Sequence, residues 1–143
     1  MKIASARSKR GRKAADSGAA AVEFAILGPV FLVLMFGAMA WGNYFWMSHA
    51  VQQVANDAAR AALAGIDSAE RKTLAMTSLA DEIDDYANLK SSAASVQVDD
   101  ALNRITVTIS YDASASPFWA MAALVPMPST LIRRQATVRL GGY

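Results

Sequence analysis

No charged residue falls between Phe24 and Met47, and the run FAILGPVFLVLMFGAMAWGNYFWM is almost wholly apolar. A helix needs about 20 residues to cross the hydrocarbon core of a bilayer at 1.5 Å per residue, and this run exceeds that. A helix also satisfies its own backbone donors and acceptors, which lipid cannot do for it. The run therefore predicts a transmembrane helix. Charge sets its direction. Lys2, Arg7, Lys9, Arg10, Arg12 and Lys13 precede the run against Asp16 alone, and no comparable cluster follows. The positive-inside rule keeps such an N-terminus in the cytoplasm and sends the rest across. The formal net charge is only +2, so the chain beyond this leader is net acidic and does not read as a nucleic-acid binder. Trp41, Tyr44 and Trp46 crowd the far end of the run, where amphipathic rings mark the outer membrane interface.

Composition agrees. Hydrophobic types make up 54% of the 143 residues and charged types 18%, a tilt away from disorder and toward a membrane segment. There is no cysteine and only one histidine, His49, which excludes disulfides, thiol catalysis and Cys- or His-clustered metal sites. Within the run, Pro29 removes one backbone donor. Gly28, Ala38 and Gly42 are small positions that fit either generic membrane-helix composition or close helix packing.

Glu23 is the residue at odds with its surroundings, a carboxylate at the mouth of an apolar run. Read alone it is either a solvated headgroup-level acid or a functional one. Its context is Asp16-Ser17-Gly18-Ala19-Ala20-Ala21-Val22-Glu23-Phe24: a basic leader ending in glycine, small residues, then Glu-Phe and a long apolar helix. This resembles the class III signal of type IV prepilins. The form Gly-Ala-Ala-Ala-Val-Glu-Phe-Ala-Ile-Leu-Gly-Pro-Val is similar to TadE-like pseudopilins of the tight-adherence (Flp) pilus system, closely over about residues 11–45 and more loosely toward the tail. The resemblance implies a cut after Gly18 by prepilin peptidase, a membrane aspartic peptidase, which leaves Ala19 as the new N-terminus. Gly18 has no side chain to obstruct a protease, and Ala19 to Ala21 keep the approach open. The resemblance further implies that Glu23, with Phe24 beside it, docks the freed amine of a neighbouring subunit. Opposite charges attract far more in a low-dielectric bundle than in water.

Beyond the run, Ser48–Ala64 lacks Gly and Pro and is rich in alanine. Val51, Val54, Ala55, Ala58 and Ala62 recur at helical spacing. One helix of about 40 residues, roughly 60 Å, is expected, its apolar stripe covered by the chain's own sheet or by another subunit. Gly65 ends it. Asp67 followed by Glu70 then predicts the capped start of a second helix, with Met76, Leu79, Ile83 and Tyr86 on one face. Asp81, Glu82, Asp84 and Asp85 read as a solvated face, since calcium-loop spacing is lacking.

Alternating residues predict strands over 95–98 (Val96 and Val98 inward) and 104–111 (Ile105, Val107, Ile109, Tyr111), joined by a turn over Asp99-Asp100-Ala101-Leu102-Asn103. The apolar stretch 117–128, bracketed by Pro117, Pro126 and Pro128, is too short to span and either caps the core or touches membrane or a partner. A last strand, 130–140, is expected to bury Leu131, Ala136, Val138 and Leu140 and to turn Arg133, Arg134 and Arg139 outward.

The expected fold class is α+β: a long N-terminal transmembrane helix extending into a small extracytoplasmic domain with a second helix and a three-stranded antiparallel sheet, a pilin-like plan. The expected organisation is a cleaved leader over 1–18, the transmembrane part over 19–47, and the extracytoplasmic domain over 48–143. No P-loop, dinucleotide fingerprint, nucleophile elbow or metal-ligand cluster is present, so no enzyme, no cofactor and no small-molecule substrate are expected. The resemblance implies a minor pilin of the bacterial inner membrane. Its implied partners are prepilin peptidase, other pilins or pseudopilins, the assembly platform and membrane lipid. Two other readings stay open. One is an uncut, signal-anchored binding module for envelope proteins. The other is release by ordinary signal peptidase after Ala38-Met39-Ala40, giving a domain that starts at Trp41.

Overall fold

The computed structural model describes the backbone of residues 8–101 and 103–141, with side chains from Gly18 onward. The side chains of the basic leader, Leu102 of the expected turn and the tail residues Gly142 and Tyr143 lie outside the described residues. The elements run in the order α1 (Ser8–Ala62), α2 (Ser68–Ile83), β1 (Ala94–Ala101), β2 (Arg104–Asp112) and β3 (Leu131–Arg139). Short 3-10 helices lie at Ser91–Ala93 and Pro117–Ala123. The fold is α+β, with a long apolar N-terminal helix, a second helix and a three-stranded sheet, as expected. Two compact units divide the chain, Met1–Ala38 and Met39–Tyr143.

Among its described residues the first unit is helix alone. It stays helical through Pro29, and the large side chains from Val22 to Met35 are exposed, none covered by the rest of the chain. α1 is the one described helix long and apolar enough to cross a membrane. A wholly apolar surface of this kind is stable only in lipid or against other apolar helices. The chain thus carries an N-terminal segment suited to anchor it in a membrane.

The second unit has its own core. Val51, Val54, Ala55, Ala58 and Ala62, the stripe legible in the sequence, are all fully buried. They share one cluster with Ala75, Leu79 and Ile83 of α2 and with Ile105, Val107, Ile109 and Tyr111 of β2. The chain's own sheet and second helix therefore cover the stripe. The sheet is an antiparallel meander, β1-β2-β3. Its register runs from Ala94↔Tyr111 to Ala101↔Arg104, and from Arg104↔Arg139 to Asp112↔Leu131. β2 is central and buries every second residue, as its alternation predicts.

Several details differ from expectation. Met76 is 50% exposed, and Ala75 faces the core with Leu79 and Ile83 instead. Those three are four apart, so the apolar face follows the i, i+4 row. In β3 the inward residue is Ile132, not Leu131. Period-2 pleating counted from buried Ala136 then puts Arg134 on the inward row rather than outward. It is only half-buried there, and its Nη1 donates to the Arg133 carbonyl. Asp99 and Asp100 belong to β1 and not to a turn.

Asp67 caps α2 as predicted, its Oδ1 accepting from the N–H groups of Ala69 (2.9 Å) and Glu70 (2.8 Å). Glu70 reaches back one residue further than a capping box does, accepting from Ile66 N–H at 2.7 Å. Gly65 is buried where the chain leaves α1. A Cβ there would stand 2.7 Å from the Arg71 backbone nitrogen, so close approach demands glycine at this point.

Candidate functional site

The candidate residues fall on both units. In the first, Gly18 and Ala19 lie within α1, so the Gly18–Ala19 bond is helical in the uncut chain. A Cβ on Gly18 would meet nothing within 4 Å. Among the described residues, packing does not demand a glycine here. Glycine lowers helix stability by roughly 1 kcal/mol relative to alanine, which eases local unwinding at this point.

Glu23 lies one helical turn further on and is exposed. No ion pair to it forms among the described side chains. Phe24, Gly28 and Pro29 come together with Leu27, Phe31 and Leu32 around one apolar groove on the helix surface. Gly28 lies against the Phe24 ring, where a Cβ would stand at 3.7 Å, an ordinary contact distance. Ala38 is exposed at the end of this unit.

In the second unit the aromatic residues of the expected interface belt each find a partner far away in sequence. Trp41 Nε1 donates to the Pro126 carbonyl at 3.1 Å. Tyr44 packs edge-on to Trp119, ring centroids 6.2 Å apart, and Trp46 packs edge-on to Tyr86 at 6.4 Å. Gly42 is exposed, with open space where a Cβ would stand. So the proline-flanked stretch 117–128 does reach the core: Trp119 packs against it and Val125 is buried. Leu124 remains 61% exposed. The seam is incompletely satisfied, since Asn43 Oδ1 and Ser48 Oγ on α1 and Ser116 Oγ and Trp119 Nε1 opposite are buried without hydrogen-bond partners. Apolar and aromatic contact, with the single Trp41 hydrogen bond, is what holds it.

A second polar cluster, missed in the sequence, ties α2 to β1. Asp100 accepts from Ser68 Oγ at 2.9 Å and from Arg71 Nη1, and Arg71 Nε donates to the Gly65 carbonyl at 3.1 Å. The Ser68 hydroxyl first, and then Arg71, hold the Asp100 carboxyl below its usual range. Ser91 acts likewise on Asp84, donating from its backbone N–H and from its hydroxyl. These are local structural ties. Among the described residues no group of three or more His, Asp or Glu gathers as a metal site.

The candidate residues on α1, from Gly18 to Trp46, form one continuous stretch of chain, and comparison with known families picks out that stretch. Residues 18–60 match the family described as TadE-like protein. Over these residues, which are less than half of its length, the chain is similar to that family. The match is consistent with a TadE-like protein of the Tad pilus system. No curated protein and no solved structure matches the chain. The TadE-like stretch opens on Gly18, the last residue of the expected leader, and includes Glu23, Phe24 and the groove around Gly28. It also takes in Trp41, Tyr44 and Trp46, and it runs on through the buried stripe as far as Ala59.

Proposed function

We propose that this protein is a minor pilin, or pseudopilin, of the tight-adherence (Flp) pilus system. It is matured by prepilin peptidase after Gly18 and acts through subunit contacts in pilus initiation or capping, and so in surface adhesion. The observation that carries this reading is where the family match begins. It starts on the glycine that closes the basic leader and omits the leader itself. Among the described residues nothing packs where a Gly18 side chain would stand, and this supports recognition by another protein as the reason for its lack of one.

The helix after the cut supports the same reading. Its exposed apolar surface from Val22 to Met35 needs lipid before assembly and can pack against other helices in a fibre. Glu23 then takes the amine of Ala19 on a neighbouring subunit as its partner. An unpaired carboxylate in this setting is costly, so correct docking is favoured over incorrect. In this reading the N-terminus begins in the cytoplasm and the second unit lies in the periplasm. The partners are prepilin peptidase, other pseudopilins and the inner-membrane assembly platform.

Sequencing the N-terminus of the mature protein, in cells with and without prepilin peptidase, tests the reading. The expected result is Ala19 with the enzyme and the uncut leader without it. A mature protein that begins at Met1 in both strains indicates the signal-anchored binding module, and one that begins at Trp41 indicates ordinary signal peptidase.

A further inference from the structure

The uncharged run starts at Phe24, directly after Glu23. The second unit already covers α1 at Ala40, which is fully buried, and covers it again at Met47. The largely exposed apolar helix is therefore Phe24–Met39, with Phe36 and Gly37 half-buried in it, ~24 Å at 1.5 Å per residue. A bilayer's hydrocarbon core is ~30 Å thick, and exposed positions continue along the same helix at Trp41, Gly42, Phe45 and Trp46.

The surface of the second unit beside these positions is apolar. Trp41 and Phe45 lie one turn apart on α1 with ring centroids 5.7 Å apart, and Phe45 is 60% exposed. Trp41 is joined through its indole N–H to Pro126. Exposed Ala122, Ala123 and Leu124 come just before Pro126 in the chain. The Trp41 donor is already satisfied by the Pro126 carbonyl, and the unpartnered polar atoms of the seam are buried within the unit and not on its surface, so the exposed part of the seam carries few bare donors into an apolar layer. Charges near that end of the sheet have both signs, Lys90, Arg133 and Arg134 with Asp84 and Asp112, so no pull toward anionic lipid is needed.

We propose that the segment Pro117–Pro126 is a second membrane contact. It rests in the outer headgroup layer, with Leu124 and Phe45 at the acyl-chain boundary, and seats the second unit on the bilayer surface. Lipid is the occupant because the patch continues, along one helix, the run that lipid surrounds. The proposal rests on α1 being the membrane span and not on membership of a pilus.

The chain has no cysteine, so single labels are unambiguous. Leu124→Cys, Val33→Cys and Thr137→Cys, all exposed positions, are each labelled with an environment-sensitive fluorophore on the full chain in phosphatidylcholine nanodiscs. Brominated lipid and aqueous iodide serve as quenchers. The expected result is several-fold stronger quenching by brominated lipid at 124 and 33 than at 137, and the reverse order with iodide. If 33 responds to lipid but 124 behaves like 137, the unit stands clear of the bilayer and the proposal falls while the span stands. Shielding of 124 from both quenchers means that protein covers it, which also overturns the proposal. If 33 is not quenched by lipid, the span itself fails, and the proposal with it.

Discussion

Replacing Gly18 separates a processing role from a folding role. In this structure Gly18 is helical, and the space a Cβ would occupy is empty to 4 Å. Gly18→Ala therefore costs nothing in packing and makes the helix more stable by roughly 1 kcal/mol. If the peptidase must unwind the bond before cutting, that increment alone slows cleavage by about fivefold. Gly18→Val adds a branched side chain at the scissile position, and the expected outcome is precursor accumulation with little mature protein. The assay is the ratio of uncut to cut chain on immunoblots from cells expressing prepilin peptidase, with membrane extraction as a control that insertion is intact. Normal maturation of Gly18→Val, in membranes that hold normal amounts of protein, would refute the reasoning. An equal loss of the variant from cells lacking the peptidase would do so too, because it would point to folding.

Glu23→Gln keeps the size of the side chain and removes its charge, so the protein should be cut and inserted normally but co-purify several-fold less with pilus components. Full recovery in pulled-down complexes counts against the docking role. Gly65→Ala places a Cβ 2.7 Å from the Arg71 backbone. Overpacking of about 1–3 kcal/mol, offset in part by the reduced freedom of the unfolded chain, should leave a net loss of about 1–2 kcal/mol in chemical denaturation of the detergent-solubilised protein. An unchanged midpoint would mean that the turn shifts freely. Asp100, Asp84 and Asp112 all have folded pKa values below their ordinary ones. Their stabilisation is complete above the unfolded carboxylate pKa of about 3.9 and is lost as pH falls through the lower folded values. Thermal melts should therefore show stability dropping below about pH 4, and Asp100→Asn should reduce that drop. A variant that loses as much on acidification as the parent chain excludes Asp100 as a contributor.

Elements set by local pattern were legible in the residues. The α1 stripe, the Asp67 cap and the alternation of β2 each depend on neighbours a few positions away. Features set by distant partners were not. Asp99-Asp100 has turn chemistry, yet both continue β1, paired with Thr106 and Ile105 of β2, and Asp100 there accepts from Ser68 and Arg71 of α2. Ala75 is too small to signal a buried face, so pattern alone favours the larger Met76. In β3 the pattern places Ala136, Val138 and Leu140 inward as found, and errs only at Leu131 and Arg134, because keeping one phase to the start of the strand puts an arginine on the inward row. Arg134 tolerates that position because a long side chain can lay its stem along apolar surface and carry its charge outward. Among the candidate residues, the apolar run, Gly18 and Glu23 were visible directly. The partners of Trp41, Tyr44 and Trp46 were not, since Pro126, Trp119 and Tyr86 are brought to them only by the fold.

The two halves of the TadE-like stretch solve different problems. From Val51 to Ala59 the helix spends its apolar face on the chain's own sheet and second helix, and every stripe residue there is sealed from solvent. That face is unavailable to another subunit unless the core opens. From Val22 to Met35 the same helix has no intramolecular cover. Under the proposed function, contacts that build or cap a fibre come from this bare segment, with Glu23 at its head and the Gly28 groove beside it, or from polar outer surfaces such as the outward face of the sheet. A folded domain with a complete core and an uncovered apolar helix can thus be stored singly in lipid and transferred to an assembly without refolding. Only the surroundings of the bare helix need change, from acyl chains to neighbouring helices.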